Sequence, residues 1–158
     1  MKLTEMVVEE AILPDLQADD RDAAISELMD ALVAGGAVKP EQRDEFCKAI
    51  IKRERRGSTG FGHGVAVPHV KHSDIDRMVI TVGVSHEGID FNALDNQPVY
   101  SIFLLLSPED RPEDHLDAME AIFGNLSQET FRRFLRQATT TKDVLTLLEE
   151  ADAKTTLH

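Results

Sequence analysis

Residues 99–106 read Val-Tyr-Ser-Ile-Phe-Leu-Leu-Leu, a nearly continuous apolar run. A strand of this kind has no polar face to turn to water, so it belongs in the centre of a sheet that is covered on both sides. Helices on the two faces supply such cover, and the expected class is α/β, a sheet sandwiched between helices. A chain of 158 residues is long enough to bury a proper core in one domain.

The flanking sequence supplies the helices. Asp19 or Asp20 is placed to cap one. Its apolar positions Ala24, Ile25, Leu28, Met29, Leu32 and Val33 recur at helical spacing, and Gly35-Gly36 ends it. Pro40 suits the first turn of a second helix. Phe46, Cys47, Ile50 and Ile51 form its stripe, and Gly57 stops it. Before it all, Ile12-Leu13 ahead of Pro14 reads as a short strand. Val65-Ala66-Val67 reads as another, since the residue before a proline is pushed extended. Lys71 to Arg77 reads as a polar turn.

Met78, Ile80, Val82 and Val84 alternate along a longer strand, with a turn expected at His86 to Gly88. Phe91 and Leu94 are expected to anchor the loop that ends at Pro98, and Ser107-Pro108 to break the central strand. Pro112 opens a third helix with an expected stripe of Leu116, Met119, Ile122, Phe123 and Leu126. Phe131, Phe134 and Leu135 mark a fourth helix. Thr141 is expected to cap the last one, with Val144, Leu145 and Leu148 inward. Residues 1–150 are expected to form the domain and residues 151–158 a frayed tail.

Charge narrows the function. The net charge is −12, which argues against nucleic-acid binding and against anionic membrane surfaces, because phosphate neutralisation needs a clustered basic surface. No apolar run reaches the length of a membrane span. Acids near the N-terminus stand where a signal peptide would be apolar, so the expected location is the cytoplasm. The single cysteine, Cys47, has no internal partner and reads as a small core residue.

The chemistry is concentrated in residues 53–70, RERRGSTGFGHGVAVPHV, where Gly57, Gly60, Gly62 and Gly64 crowd ahead of a short apolar run. Such density implies a backbone that turns sharply or approaches something closely. It delivers His69 just past a strand end, where sites in α/β folds tend to lie. Arg53 falls by spacing toward the buried side of its helix. There it either holds an anion or carbonyl, or caps its own helix C-terminus with an extended stem. His115 begins a helix, where the positive end of the dipole favours a neutral ring. A cysteine-nucleophile reading of Cys47 lacks a paired base. A zinc reading of His63, His69 and His72 lacks any recognised ligand spacing.

Residues 54–69, ERRGSTGFGHGVAVPH, closely resemble the phosphorylation-site signature of the enzyme IIA domains of the bacterial phosphoenolpyruvate-dependent phosphotransferase system, fructose–mannitol class. FNALDNQPV at residues 91–99 resembles a second block of that family, and EDHL at residues 113–116 a third. GSTGFG and DNQPV are closest to the nitrogen-regulatory branch. The resemblance implies a mixed sheet between helices over nearly the whole chain. It implies that His69 accepts a phosphoryl group on Nε2 from phospho-HPr or a nitrogen-branch HPr, and that Arg53 and His115 contact that group. It implies no cofactor and no metal. The chain would be a phosphoryl-transfer protein with a phosphohistidine intermediate, not a classical turnover enzyme. It would either pass phosphate to an enzyme IIB in fructose or mannitol transport, or change its binding to a regulated protein. No enzyme IIB domain accompanies it within these residues, which favours the regulatory role; a regulatory binding module that transfers no phosphate is the further alternative. Val70 departs from the signature, which carries a small residue there, and is expected to fill space beside the His69 ring.

Overall fold

The computed structural model describes residues 1–156. The first elements are a short helix α1 (Leu3–Met6), a 3-10 turn (Glu9–Ala11) and α2 (Arg21–Ala34). Asp20 caps α2 by accepting the Ala23 N–H at 2.8 Å. A 3-10 turn at Pro40–Gln42 leads into α3 (Arg43–Arg56). Then come β1 (Val65–Ala66), β2 (His69–His72), β3 (Val79–Ile89) and β4 (Val99–Pro108). Three helices, α4 (Pro112–Leu126), α5 (Glu129–Gln137) and α6 (Thr141–Thr156), finish the chain.

The apolar run is the central strand. β4 pairs antiparallel with β3 along one edge and parallel with both β1 and β2 along the other. The sheet is therefore mixed. The register is the same on both sides of the gap at Val67-Pro68: Val65 faces Ser101 and His69 faces Leu105. β1 and β2 are thus one line of chain, interrupted where Pro68 has no N–H to give. On the far side of β3 the N-terminal segment adds parallel bridges, Val7 to Ile80 and Leu13 to Gly83, so Leu13 is extended as expected.

Alternation along β4 divides the core. Ile102, Leu104 and Leu106 pack toward α2 and α3, whereas Phe103 and Leu105 pack toward α1, α4, α5 and α6. The architecture is helices on both faces of one mixed sheet, as the sequence indicated. Gly83 is the point of closest approach: a Cβ there would lie 2.6 Å from Leu16 Cδ1 and 2.9 Å from Leu28 Cδ2.

Several local expectations are corrected. β4 runs through Ser107 and Pro108 instead of breaking at them. Lys71 and His72 belong to β2 and not to a turn. His86 to Gly88 form an irregularity within β3, not its end; the register slips between Val84 and Ile89, and the Gly88 N–H is taken up by Ser85 Oγ. Phe91 is fully buried but Leu94 is exposed. The buried stripe of α4 is His115, Ala118, Ile122 and Leu126, with Leu116 58% exposed. In α5, Phe134 points outward. Thr140, not Thr141, caps α6 by accepting the Asp143 N–H.

Residues 151–156 continue α6 where a frayed tail was expected. Asp152 is buried and ties the two ends of the chain together. Its carboxylate accepts the N–H of Leu3 at 2.8 Å, the N–H of Thr4 at 3.0 Å and the Thr4 hydroxyl at 2.6 Å. His158 lies outside the described residues.

Candidate functional site

His69 lies just past the end of β1, as expected, and is itself the first residue of β2, on the open edge of the sheet. Its ring folds back on its own backbone: Nδ1 lies 2.8 Å from the Val67 carbonyl oxygen. A carbonyl only accepts, so in the neutral ring Nδ1 carries the proton and Nε2 keeps the lone pair. β2 pairs Leu105 opposite His69, and Leu105 packs against the α4 face, which turns His69 toward α4.

His115 meets it there. The two ring centroids are 5.5 Å apart with planes at 52°. His115 sits in the first turn of α4, only 8% exposed, and its Nδ1 lies 2.6 Å from Ser107 Oγ at the end of β4. With that hydroxyl donating, Nε2–H is the free donor of His115. Burial pushes the His115 pKa down to about 4, helped by the neighbouring His69 and by the Lys71 charge. Burial also lowers that of His69; the Arg53 and Lys71 charges act the same way, against the Val67 carbonyl and Glu54. Both rings are therefore neutral near pH 7, one offering a lone pair and the other a donor.

Arg53 takes the capping alternative. Its Nη1 donates to the Gly57 carbonyl at 2.7 Å, closing the C-terminus of α3 on the exposed side. The buried member of that last turn is Glu54, 3% exposed. Its carboxylate accepts the Thr59 N–H at 3.0 Å and the Thr59 hydroxyl. Glu54 thus clamps the helix end to the glycine-rich loop, and Arg53, with Nη1 engaged by Gly57, lies near enough for its charge to act on the His69 ring.

Val70 does not fill space beside the ring. It pairs with Leu106 and packs against the α2–α3 core, the face opposite His69. The three histidines of the zinc reading do not assemble either. Among the described residues the potential metal-binding atoms that lie within 4.8 Å of one another belong to Glu45, His72 and Asp74, and His72 Nδ1 there already accepts the Asp74 N–H. Cys47 is buried in the core cluster on the α2–α3 face.

Ser107, Glu54, Thr59 and the Val67 carbonyl were not singled out from the sequence. Glu54 was findable: Phe46, Ile50 and Glu54 follow at intervals of four, so Glu54 and not Arg53 continues the buried stripe. Nothing local in the sequence marks Ser107 as the partner of His115.

Residues 5–151 match the family described as phosphoenolpyruvate-dependent sugar phosphotransferase system, EIIA 2. A nitrogen regulatory protein of Bradyrhizobium diazoefficiens is 33% identical over 94% of this chain and 95% of its own length. A fructose-specific EIIABC component of Bacillus subtilis is 29% identical over 96% of this chain, which spans only 24% of that longer protein. Among solved structures, the nitrogen regulatory protein IIA-Ntr of Neisseria meningitidis superposes with a TM-score of 0.82 at 27% identity, covering 91% of this chain and 97% of that one. The chain belongs to the EIIA type 2 family of the phosphotransferase system. The fold expected from the resemblance is the fold found. No helix among the described residues is long and apolar enough to cross a membrane.

Proposed function

We propose that this chain is a cytoplasmic phosphocarrier that takes a phosphoryl group on His69 Nε2 from phospho-HPr or a nitrogen-branch HPr. The observation that carries the reading is the hydrogen bond from His69 Nδ1 to the Val67 carbonyl, which leaves Nε2 as an unprotonated nucleophile. In the transfer, the Nε2 lone pair forms a bond to phosphorus. The bond from phosphorus to the donor breaks, and its electron pair returns to the donor. The acceptor ring gains positive charge, which the Val67 carbonyl stabilises through the Nδ1 proton. Phosphoryl transfer depends on positioning and on neutralising the equatorial oxygens. His115 Nε2–H supplies one donor. Arg53 supplies a fixed positive charge, exchanging its Gly57 contact for the phosphoryl oxygens. The residues present need no metal for these steps.

The end-to-end likeness to a nitrogen regulatory protein supports a regulatory output. Phosphorylation adds about 1.5 to 2 negative charges at His69, enough to weaken an interface built over it. The second reading, delivery to a separate enzyme IIB in sugar uptake, is favoured by the likeness to the fructose-specific component.

The test is incubation with phosphoenolpyruvate, enzyme I and HPr, read by intact-protein mass spectrometry. One acid-labile phosphate is expected, absent in His69→Ala. No added phosphate on the folded wild-type protein sinks the reading. Transfer onward to an enzyme IIB distinguishes uptake from regulation.

A further inference from the structure

We propose that a second cleft, between α5 and the sheet edge where β1 begins, binds a small molecule carrying two anionic oxygen groups. The cleft encloses about 630 Å³, a size typical of small-molecule sites. It opens beside Val65 and Ser101, four residues along the sheet edge from His69 and Leu105, and shares no residue with the His69–His115 pair. The inference does not rest on the role given to His69.

Arginine chemistry defines it. Arg132, Arg133 and Arg136 of α5 line one wall. The Arg136 guanidinium lies over the Tyr100 ring, 3.4 Å from its centroid. That ring is itself held from below by backbone: a Cβ at Gly64 or at Gly88 would come within 3.1 Å of it. Gly64 has a φ of +74°, so the loop can pass this close only with glycine at that position. Tyr100 is thus a fixed platform, and Arg136 is pre-oriented on it with its donors at the ring's edge. Arg132 is anchored by Nη1 to the Leu126 carbonyl at 2.9 Å, which leaves the rest of its fork available.

Among the described residues none of the three arginines is paired with a carboxylate. Glu129 precedes Arg132 by three residues and Arg133 by four, spacings that ordinarily give helix ion pairs, yet it forms none. Asp95, the other acid on the wall, accepts the Gln97 N–H. A chain of net charge −12 therefore gathers three guanidinium groups without a carboxylate partner around one concavity, against its average; Arg133 rests over the exposed Phe134 ring, 5.4 Å from its centroid. A guanidinium matches phosphate or carboxylate two bonds at a time. A single carboxylate has too few lone pairs to engage all three forks, whereas two linked oxyanions can engage them together.

The test is a titration of the wild-type protein and an Arg133→Gln/Arg136→Gln variant with pyrophosphate and, separately, with citrate, followed by amide NMR. Both substitutions fall on exposed helix positions and keep good helix formers. Saturable shifts at Gly64, Gln97 and Tyr100 are expected, at least tenfold weaker in the variant and weaker at high salt. Tyr100→Leu, which removes the platform while keeping all charges, should also weaken them. Tighter pyrophosphate assigns a phosphate ester as the ligand class, and tighter citrate a polycarboxylate. No saturation with either probe, or equal shifts in wild type and double variant, overturns the proposal. Phosphorylation of His69 in the double variant should match wild type.

Discussion

Lowering the pH from 7 to 5 should destabilise the fold through His115, and the amount follows from its burial. In the native protein the ring holds no proton until about pH 4, whereas an unfolded chain binds one near 6.5. Between those values the unfolded state carries more protons than the native state, so stability falls as pH falls and is regained above 6.5. Each pH unit inside the window is worth about 1.4 kcal/mol. The loss from pH 7 to pH 5 is then about 2 kcal/mol, approaching about 3 kcal/mol below pH 4. Urea unfolding at the two pH values reads this directly in wild type and in His115→Gln, which cannot titrate. Carboxylates contribute equally to both proteins, so the difference between their pH responses isolates the histidine. The same argument predicts that the His115 ring resonances move near pH 4 in an NMR titration, with those of His69 moving below 6.5. Equal pH dependence in the two proteins, or a His115 midpoint near 6.5, would refute the claim that the ring is neutral because it is buried.

Other outcomes follow from the same contacts. Val70→Gly should lower stability by roughly 1–3 kcal/mol, through lost packing and a looser strand, yet leave the rate of His69 phosphorylation within about twofold; a faster rate would mean Val70 crowds the ring after all. Asp152→Ala should cost about 2–4 kcal/mol in urea unfolding, because the Leu3 and Thr4 N–H groups lose their buried acceptor. Arg53→Lys should slow phosphoryl acceptance by about tenfold or more in rapid-quench assays, since a point charge replaces a fork. Its stability should stay within about 0.5 kcal/mol of wild type, since the Gly57 contact lies on the exposed side.

What the sequence made legible is what periodicity encodes. β4 and α2 are strongly patterned, and both stand where their patterns put them. The phase of α4 was harder. Met119 and Phe123 lie half-buried beside the true stripe, so two apolar faces competed, and the deciding inward residue is a histidine. The far end of α6 was invisible for another reason. Ala151 and Asp152 are held by the chain's opposite end, a contact between Leu3 and Asp152 that no local window contains. The glycines and Pro68-His69 announced the site, but the partners of His69 and His115 are a backbone carbonyl and a serine on another strand, groups without a pattern of their own.

That backbone carbonyl explains why a proline precedes the histidine. In the parallel pairing with β4, the Gly64 and Pro68 carbonyls accept from Ser101 and Leu105. Strand alternation then turns the Val67 carbonyl to the open edge, where no further strand meets it. An unpaired edge carbonyl is ordinarily a liability. Here the ring two residues on covers it, and the same bond fixes the ring's tautomer and direction. Pro68 holds the intervening backbone, and its missing N–H falls on the side that faces β4, where it interrupts the ladder. The constant register across the gap shows that the interruption costs the sheet no residue of slippage. β2, which carries His69, lies on the open edge of this sheet. The device that protects the edge from unwanted pairing therefore leaves Nε2 of His69 as the only unsatisfied atom of the ring, facing His115 and open to a partner.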